Sequence, residues 1–147
     1  PLPGNGIHGG LYLVDGPMTG DVALATQADA NARGEELNDS AASALAAPGD
    51  LDGDGHDEVL VGAPLAGDLE ETGIAYLLYG PVTGIAELAD ADARFTGEAD
   101  FDNAGFSLAS GDFNGDTIPD LLIGAPNHDA GGHDAGAAYI VYGRGGL

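Results

Sequence analysis

Short apolar runs that end in glycine and proline dominate the pattern of hydrophobic and polar positions along the chain. Two of them, EVLVGAP (58–64) and DLLIGAP (120–126), are rich in valine, leucine and isoleucine and have the length of strands. Because their apolar residues are continuous, we expect strands that are buried on both faces. Glycine and proline recur too often between such runs for helices of useful length.

Tyrosine-containing runs follow these strands after loops of eight or nine residues, which predicts a hairpin in each case. The runs are GIAYLLYG (73–80) and GAAYIVYG (136–143). Small residues predict two further strands in SALAAPGD (43–50) and FSLASGD (106–112), and weaker strands are expected near Val22 to Thr26 and Ala93 to Thr96. The segment AELADADARF (86–95) is also compatible with a turn or two of helix on propensity alone.

The chain repeats itself every 62 to 64 residues. Tyr12, Tyr76 and Tyr139 lie at matching positions of three similar segments, and residues 50–64 superpose on 112–126 without a gap. Four short strands in a unit of about 63 residues fit a β-propeller blade better than a helical solenoid. We therefore predict an all-β protein of four-stranded antiparallel blades, in which the recurring tyrosines, Tyr79 and Tyr142 included, pack within or between blades.

The repeat predicts where the units begin and end. Residues 9–33 would be the end of a preceding blade, 34–96 the first full unit, and 97–147 a second unit that lacks its outer strand. Residues 1–147 thus hold about two blades and part of a third. Propellers close with about 4 to 8 blades, so we expect either a piece of a longer polypeptide or an association of several copies.

Two acidic loops precede the most apolar strands and place oxygen-bearing side chains at alternate positions. Positions 1, 3, 5, 7 and 9 hold Asp50, Asp52, Asp54, His56 and Glu58 in the first loop (50–58), and Asp112, Asn114, Asp116, Ile118 and Asp120 in the second loop (112–120). With the backbone carbonyl of position 7, such a loop surrounds a hard cation with six or seven oxygens, as calcium prefers. We predict two Ca²⁺ sites.

Two alternatives compete with this interpretation of the loops. Solvated Asp-Gly turns are common, but two carboxylates about 5 Å apart repel by roughly 3 kcal/mol at an effective dielectric constant near 20. An EF-hand would need a glutamate at position 12, where Val61 and Ile123 stand. Thr117 replaces the glycine of position 6 in the second loop, which also has one carboxylate fewer, so we expect the second site to be strained and weaker.

The net charge of the chain limits the kinds of molecule that it can bind. The chain has 25 acidic residues against three arginines, and its net charge of −22 disfavours nucleic acid and anionic membrane surfaces. Adaptation to a salty medium is a second explanation of the surplus charge. No apolar run approaches the ~20 residues of a membrane helix, so we expect no membrane insertion, and there is no cysteine for a disulfide or thiolate site.

Two further motifs are candidates for binding sites. GNGIHG (4–9) satisfies a dinucleotide-binding pattern, but a strand follows it where a helix is required. His128, Asp129, His133 and Asp134 are candidate transition-metal ligands or a polar hairpin tip. We find no nucleophile with its base, no phosphate-binding loop and no carboxylate pair of recognisable catalytic geometry, and we expect the chain not to be an enzyme.

These motifs resemble FG-GAP repeats, the units of the N-terminal β-propeller of integrin α subunits and of related extracellular proteins. The resemblance covers roughly residues 9–147, although the Phe-Gly element itself occurs only as Gly105-Phe106, in reverse order. It implies the same ten calcium ligands, with His56 and Ile118 acting through their carbonyls. It also implies a seven-bladed, extracellular and non-catalytic propeller.

Several partners and roles follow from the resemblance as expectations. Besides calcium ions, they are a protein or glycan ligand, or further blades or copies, with a role in adhesion, recognition or assembly. One alternative is an accessory propeller of a secreted hydrolase or phospholipase. Another is a subunit of an extracellular filament, whose open strand edges would pair with one another.

Overall fold

The computed structural model describes residues 9–67 and 71–144, and it confirms the predicted all-β class. Within these residues lie ten strands: β1 (Gly10–Leu13), β2 (Ala30–Arg33), β3 (Ala44–Gly49), β4 (Glu58–Ala63), β5 (Ile74–Leu78), β6 (Gly84–Glu87), β7 (Ala93–Thr96), β8 (Ser107–Gly111), β9 (Asp120–Ala125) and β10 (Ala137–Val141). A one-turn helix, α1 (Leu24–Gln27), and a 3₁₀ turn (Leu88–Asp90) complete them. Neither helical segment in the described ranges has the length and apolar character that crossing a membrane requires. Residues 4–8 of GNGIHG lie outside the described residues.

The central sheet is an antiparallel meander of four strands in the order β3-β4-β5-β7, the predicted form of a propeller blade. All five residues of β5 are buried because another sheet covers each of its faces. The carboxy-terminal sheet has the order β10-β9-β8 and repeats the first three strands of this pattern. The strand expected at 93–96 is thus present as β7.

A β-bulge explains why the two units differ by one residue. The pairing of β3 with β4 shifts register between Ala46 and Gly49, whereas β8 pairs with β9 in continuous register. The additional residue of the first unit is accommodated at this bulge, next to Pro48, which has no N–H to contribute to a ladder.

The strand predicted near Val22 to Thr26 is wrong, because residues 24–27 form the helix α1. The side chain of Gln27 accepts a hydrogen bond from the Ala23 N–H (2.6 Å), and the Thr26 hydroxyl donates to the Ala23 carbonyl (3.2 Å). Such local bonds compete with a strand ladder. The strand that pairs with β1 lies further along the chain, at Ala30–Arg33.

The amino-terminal sheet has three strands in the order β1-β2-β6. Its strand β6 was not predicted; it lies in the connection between β5 and β7 and joins that connection to the amino-terminal sheet. It runs parallel to β2, with Ala30 opposite Gly84 and Glu87 in an ion pair with Arg33. The hydrogen bond and charge of Glu87 raise the pKa of Arg33. Directly after β6, Leu88 begins the 3₁₀ turn and is fully buried, so AELADADARF forms one helical turn between two strands.

Two apolar clusters fill the spaces between the three sheets. In the first, Tyr76 is fully buried; its hydroxyl donates to Glu35 (2.9 Å), and the Arg94 guanidinium lies 5.5 Å from its ring centre. Burial and the Glu35 carboxylate raise the pKa of Tyr76. Tyr139 packs against the second cluster, as predicted. The prediction is wrong for Tyr12, Tyr79 and Tyr142, which are exposed because no further strand covers them within the described residues.

A buried aspartate precedes the first strand of each unit, at Asp39 in the first unit and Asp102 in the second. Asp102 accepts hydrogen bonds from the backbone of Glu98 (3.0 Å) and Ala99 (2.8 Å) and lies 3.0 Å from Nδ1 of His128. Burial opposes ionisation of Asp102, but the Ala99 hydrogen bond, His128 and the Glu98 hydrogen bond outweigh it and lower the pKa of Asp102.

The buried position of Leu88 predicts a large loss of stability on truncation. Leu88→Ala should lower the free energy of unfolding by about 2 to 5 kcal/mol, because it leaves a cavity between the amino-terminal and central sheets. Urea denaturation followed by circular dichroism measures the change. Ile85→Ala is the matched control, since Ile85 is 69% exposed on β6 and its loss should cost no more than about 0.5 kcal/mol. Equal effects of the two substitutions would contradict the packing of Leu88.

The lowered pKa of Asp102 predicts pH-dependent stability. The folded pKa lies below the unfolded value of about 4, so this contribution is complete above that pH and is lost as the pH falls through the folded pKa. Asp102→Asn should therefore cost about 1 to 3 kcal/mol at neutral pH and progressively less in acid. Unfolding of both proteins between about pH 7 and 2 tests this, with the exposed Asp100→Asn as control. A pH-independent difference between wild type and Asp102→Asn would refute the assignment.

Candidate metal centre

Both acidic loops connect the first strand of a sheet to the second strand, and each ends on the first residue of that second strand, Glu58 or Asp120. A glycine after the third strand packs against each loop. A Cβ atom on Gly80 would lie 2.7 Å from the Cβ of His56, and one on Gly143 would clash with the Pro119 carbonyl. The close approach of these glycines holds the loops against the ends of the sheets.

Asp50 organises the first loop by accepting backbone hydrogen bonds with both carboxylate oxygens. Its Oδ1 accepts from Gly53 (2.6 Å) and Asp54 (3.1 Å), and its Oδ2 accepts from Gly55 (2.9 Å). Asp52 Oδ1 accepts from the Asp54 N–H (3.1 Å), and Asp54 Oδ1 from the His56 N–H (2.8 Å). The loop is therefore wound around its own carboxylates, which face one another.

Four carboxylates of the first loop come together. Asp50, Asp52, Asp54 and Glu58 each place an oxygen within 4.8 Å of the others. Glu58 is fully buried; its Oε2 accepts a hydrogen bond from the Leu51 N–H, while its Oε1 is buried without a hydrogen-bond partner. A buried charged oxygen without a partner is costly, and a cation among these oxygens would remove that cost. This donor set fits Ca²⁺.

The second loop has the same backbone hydrogen bonds. Asp112 accepts from Gly115 (2.7 Å), Asp116 (3.1 Å) and Thr117 (2.8 Å), and the bond from Thr117 contributes most to lowering the pKa of Asp112. Asn114 Oδ1 accepts from the Asp116 N–H (2.9 Å), and Asp116 Oδ1 from the Ile118 N–H (2.8 Å). The two loops thus share one conformation.

More carboxylate oxygens accept hydrogen bonds in the second loop than in the first loop. The buried Asp120 accepts from Phe113 (2.8 Å) and from Gly143 (2.9 Å), one bond at each oxygen. Asn114 also donates its side-chain amide to Asp116 Oδ2 (2.9 Å). Among the described residues, no group of three acidic side chains gathers here as in the first loop. The oxygens of the second loop are compatible with Ca²⁺ as ligands. More of them already accept hydrogen bonds than in the first loop, so fewer are left for an ion to satisfy.

Thr117 is in the left-handed region, with φ of 73°, where Gly55 of the first loop has φ of 92°. Left-handed backbone is costly for a β-branched residue, so the expected strain of the second loop is located at this residue. The predicted roles of the His56 and Ile118 carbonyls as ligands stay predictions.

The first loop also contributes to the joint between two sheets. Leu51, at its second position, is buried in the cluster between the central and carboxy-terminal sheets, whereas its counterpart Phe113 is exposed. The order of the first loop is therefore coupled to the packing of one sheet on the next.

The candidate transition-metal ligands at the β9–β10 connection separate into two groups. His128 is paired with Asp102, away from the other three candidates. Asp129, His133 and Asp134 have ligand atoms within 4.8 Å of one another, but all three are exposed, and His133 pairs with Asp134 (2.8 Å). This arrangement is that of a solvated hairpin tip, in which exposed acidic groups commonly hold no ion.

Asp39 and Asp102 are structural residues that sequence reasoning missed. Their spacing of 63 residues was visible in the matched segments DSAASALAAPGD and DNAGFSLASGD, but nothing in the sequence distinguished a buried aspartate from an exposed one. Left-handed residues flank both of them, at Asn38 and Ser40 and at Phe101 and Asn103. With these turns, the carboxylate of each aspartate accepts hydrogen bonds from backbone N–H groups of its own unit.

The strands and loops described above match a known repeat. The sequence model of the FG-GAP repeat matches residues 42–78 and 104–141, which together are about half of the chain and include both acidic loops. The chain belongs to the FG-GAP repeat family. Each matched segment runs from the first strand of a sheet through an acidic loop to the third strand.

Integrin α subunits and a phospholipase are among the proteins that are similar to this chain. Integrin alpha pat-2 of Caenorhabditis elegans is 38% identical over 85 residues, 56% of this chain and 7% of that protein. Integrin alpha-PS2 of Drosophila melanogaster is 34% identical over 91 residues, 58% of this chain and 6% of that protein. Phosphatidylinositol-glycan-specific phospholipase D of Bos taurus is 31% identical over 146 residues, 95% of this chain and 17% of that protein. The FG-GAP chain thus spans only a small part of each of these relatives.

Exchange of the residues at position 6 tests the strain in the second loop. Thr117→Gly should raise the free energy of unfolding by about 1 kcal/mol, because relief of the left-handed threonine exceeds the entropy cost of glycine. Gly55→Thr should lower it by about 1 to 2 kcal/mol, although nothing lies within 4 Å of the new Cβ. Thermal and urea denaturation measure both. A destabilising Thr117→Gly would show that the strain is compensated by contacts of the threonine side chain.

Proposed function

We propose that this FG-GAP chain is a calcium-binding, non-catalytic propeller segment of an extracellular protein, in which the bound ions hold blades in the form needed for adhesion, recognition or assembly. The observation that supports it most directly is the buried, unpartnered Oε1 of Glu58 beside three aspartates. A protein whose fold already satisfied this oxygen would have no need of an ion there.

Bound calcium would supply positive charge that offsets the mutual repulsion of the loop carboxylates. The chain's own residues do the rest: Asp50 and Glu58 fasten the two ends of the first loop through backbone N–H groups, and Leu51 inserts between sheets. Order in the loop is thereby transmitted to the joint between the central and carboxy-terminal sheets. We infer that calcium stabilises the relative position of two blades and does not take part in chemistry.

A second candidate function is that of an accessory propeller in a larger secreted enzyme. The match to phosphatidylinositol-glycan-specific phospholipase D extends over 95% of this chain, against 56% for integrin alpha pat-2. The matched region is 17% of the phospholipase, so activity would reside in another part of such a protein. The calcium loops would have the same structural role in both cases, and the two proposals differ only in what the propeller is attached to.

Calcium should raise the stability of the chain, and mostly through the first loop. With a dissociation constant near 10⁻⁴ M, ~1 mM calcium adds up to ~1.4 kcal/mol per site. Differential scanning calorimetry in calcium and in EGTA measures the shift in melting temperature. Glu58→Gln should reduce this shift by half or more without lowering stability in EGTA, because the amide oxygen of glutamine can still accept the Leu51 N–H while the buried charge beside the unpartnered oxygen is removed.

Asp57→Asn is the matched control for Glu58→Gln, since Asp57 is exposed in the same loop and outside the carboxylate group. It should leave the calcium-induced shift unchanged. Superimposable wild-type melting curves in calcium and in EGTA would end the proposal. Equal calcium-induced shifts in wild type and Glu58→Gln would show that the stabilising ion does not bind in the first loop.

A further inference from the structure

The β4–β5 and β9–β10 connections begin with the same backbone hydrogen bonds. Ala66 and His128 occupy equivalent positions: each donates its N–H to the carbonyl of the last residue of the preceding strand, and each accepts a hydrogen bond from a later glycine. The residue before each of them donates to the carbonyl of the buried aspartate of its unit, Asp39 or Asp102. In the first unit this contact forms without a histidine, so His128 adds a group that the fold itself does not require.

His128 places an imidazole against a buried carboxylate. Its Nδ1 lies 3.0 Å from Oδ2 of Asp102, and the side chains of the two residues are 13% and 2% exposed. The equivalent residue of the first unit, Ala66, is buried and has no group that titrates. The second unit therefore holds a titratable pair at a contact where the first unit has none.

The charge of Asp102 determines which nitrogen of His128 carries a proton. Burial raises the pKa of Asp102, but the Ala99 hydrogen bond and His128 outweigh burial and lower the pKa below its usual value. The carboxylate is therefore ionised at neutral pH and only accepts hydrogen bonds, so Nδ1 of His128 is the donor. The ring is then neutral or positively charged according to whether Nε2 also holds a proton, which for histidine changes between about pH 5 and 8.

The groups that surround His128 are anionic or neutral. From the turn before β8 it faces Asp102, and Glu98 lies in the same turn. From β10 the ring of Tyr139 meets it edge-on, with 6.3 Å between ring centres; burial, Glu98 and Asp102 raise the pKa of Tyr139, so its phenol is uncharged. Its own connection continues with the exposed Asp129. Each of these charged groups favours a positive charge on the ring.

The pair lies at the end of the sheets opposite to the acidic loops, because those loops join the first strand to the second and these connections join the second strand to the third. Beside the pair, Asn103 accepts a hydrogen bond from the side chain of Asn127 and donates one to the carbonyl of Pro64 in the β4–β5 connection (2.9 Å). The contact at His128 therefore adjoins the contact between two neighbouring connections.

We propose that His128 and Asp102 form a pH-sensitive latch, which holds the β9–β10 connection against the turn before β8 most tightly when the imidazole is charged. The charged ring forms an ion pair with the buried carboxylate, whereas the neutral ring keeps a hydrogen bond alone. The contribution of the ion pair is complete in mild acid and is lost as rising pH removes the Nε2 proton. Mild acid thus stiffens this end of the two sheets without a change at the acidic loops.

Amide hydrogen exchange of the intact chain between about pH 5 and 8, corrected for the intrinsic pH dependence of exchange, tests the latch. The hydrogen-bonded amides of Asn103, Asn127 and His128 should be protected about tenfold more at the acidic end of this range than at the alkaline end. The nitrogen NMR signals of the His128 ring should show Nδ1 protonated throughout and Nε2 losing its proton over the same range. Equal protection at both ends, or a neutral ring protonated at Nε2 alone, would overturn the proposal.

Two substitutions of His128 separate the latch from a merely structural role. His128→Asn keeps an amide donor near the position of Nδ1 without a titratable charge, and His128→Ala introduces the residue with which the first unit forms the same backbone bonds. Both variants should fold and lose the pH dependence of protection, whereas the exposed His133→Gln should keep it. Persistence of the pH dependence in His128→Asn would refute the latch. The series repeated in EGTA should give the same differences, so that failure of the latch is distinguishable from failure of the calcium proposal.

Discussion

The fold depends on a carboxylate that is buried at the first residue of the second strand of a sheet. Glu58 and Asp120 are both fully buried there, and each accepts a backbone N–H from the second residue of its own loop, Leu51 or Phe113. Burying an ionised group costs several kcal/mol unless its oxygens are satisfied. This single requirement bends each loop back onto the start of its strand and so determines where the remaining loop carboxylates lie.

The two units meet this requirement differently. Asp120 is short enough for both of its oxygens to accept backbone N–H groups, the second from Gly143 after β10. Glu58 satisfies one oxygen with the Leu51 N–H and leaves the other without a partner, and its carboxylate lies within 4.8 Å of those of three aspartates. The same backbone conformation therefore gives one loop that is nearly complete by itself and one that lacks positive charge. The two loops thus share one shape but differ in how far their own hydrogen bonds satisfy the carboxylate oxygens.

Contacts between sheets show a similar asymmetry. Leu51 is buried between sheets while Phe113 is exposed, and Arg94 joins Glu35 to Tyr76 while Glu98 has no cation among the described residues. In each pair the satisfied member lies where a further strand or sheet covers it. A propeller blade obtains its stability from its neighbours, because its strands are apolar on both faces.

The sequence by itself determined the features that rest on local patterns: the apolar strands β4 and β9, the tyrosine strands β5 and β10, the repeat, and the composition of both acidic loops. These follow from neighbouring residues, since strand burial, turn chemistry and ligand spacing are all encoded within about ten positions. The one-residue difference between the units was also visible, and it corresponds to the bulge at Ala46.

Tertiary structure alone decided the features that depend on distant partners. Strand β6 exists because Gly84–Glu87 finds the edge of β2 more than fifty residues earlier, and Ala30–Arg33 displaced Val22 to Thr26 as the partner of β1. Asp39 and Asp102 resemble any other acid in the sequence until the joints between sheets bury them. The unequal loops likewise required the packing of Gly143 against Asp120. The physical reason is common to all of these: a hydrogen-bonding group or an apolar side chain specifies what it needs, and only the fold specifies which distant residue supplies it.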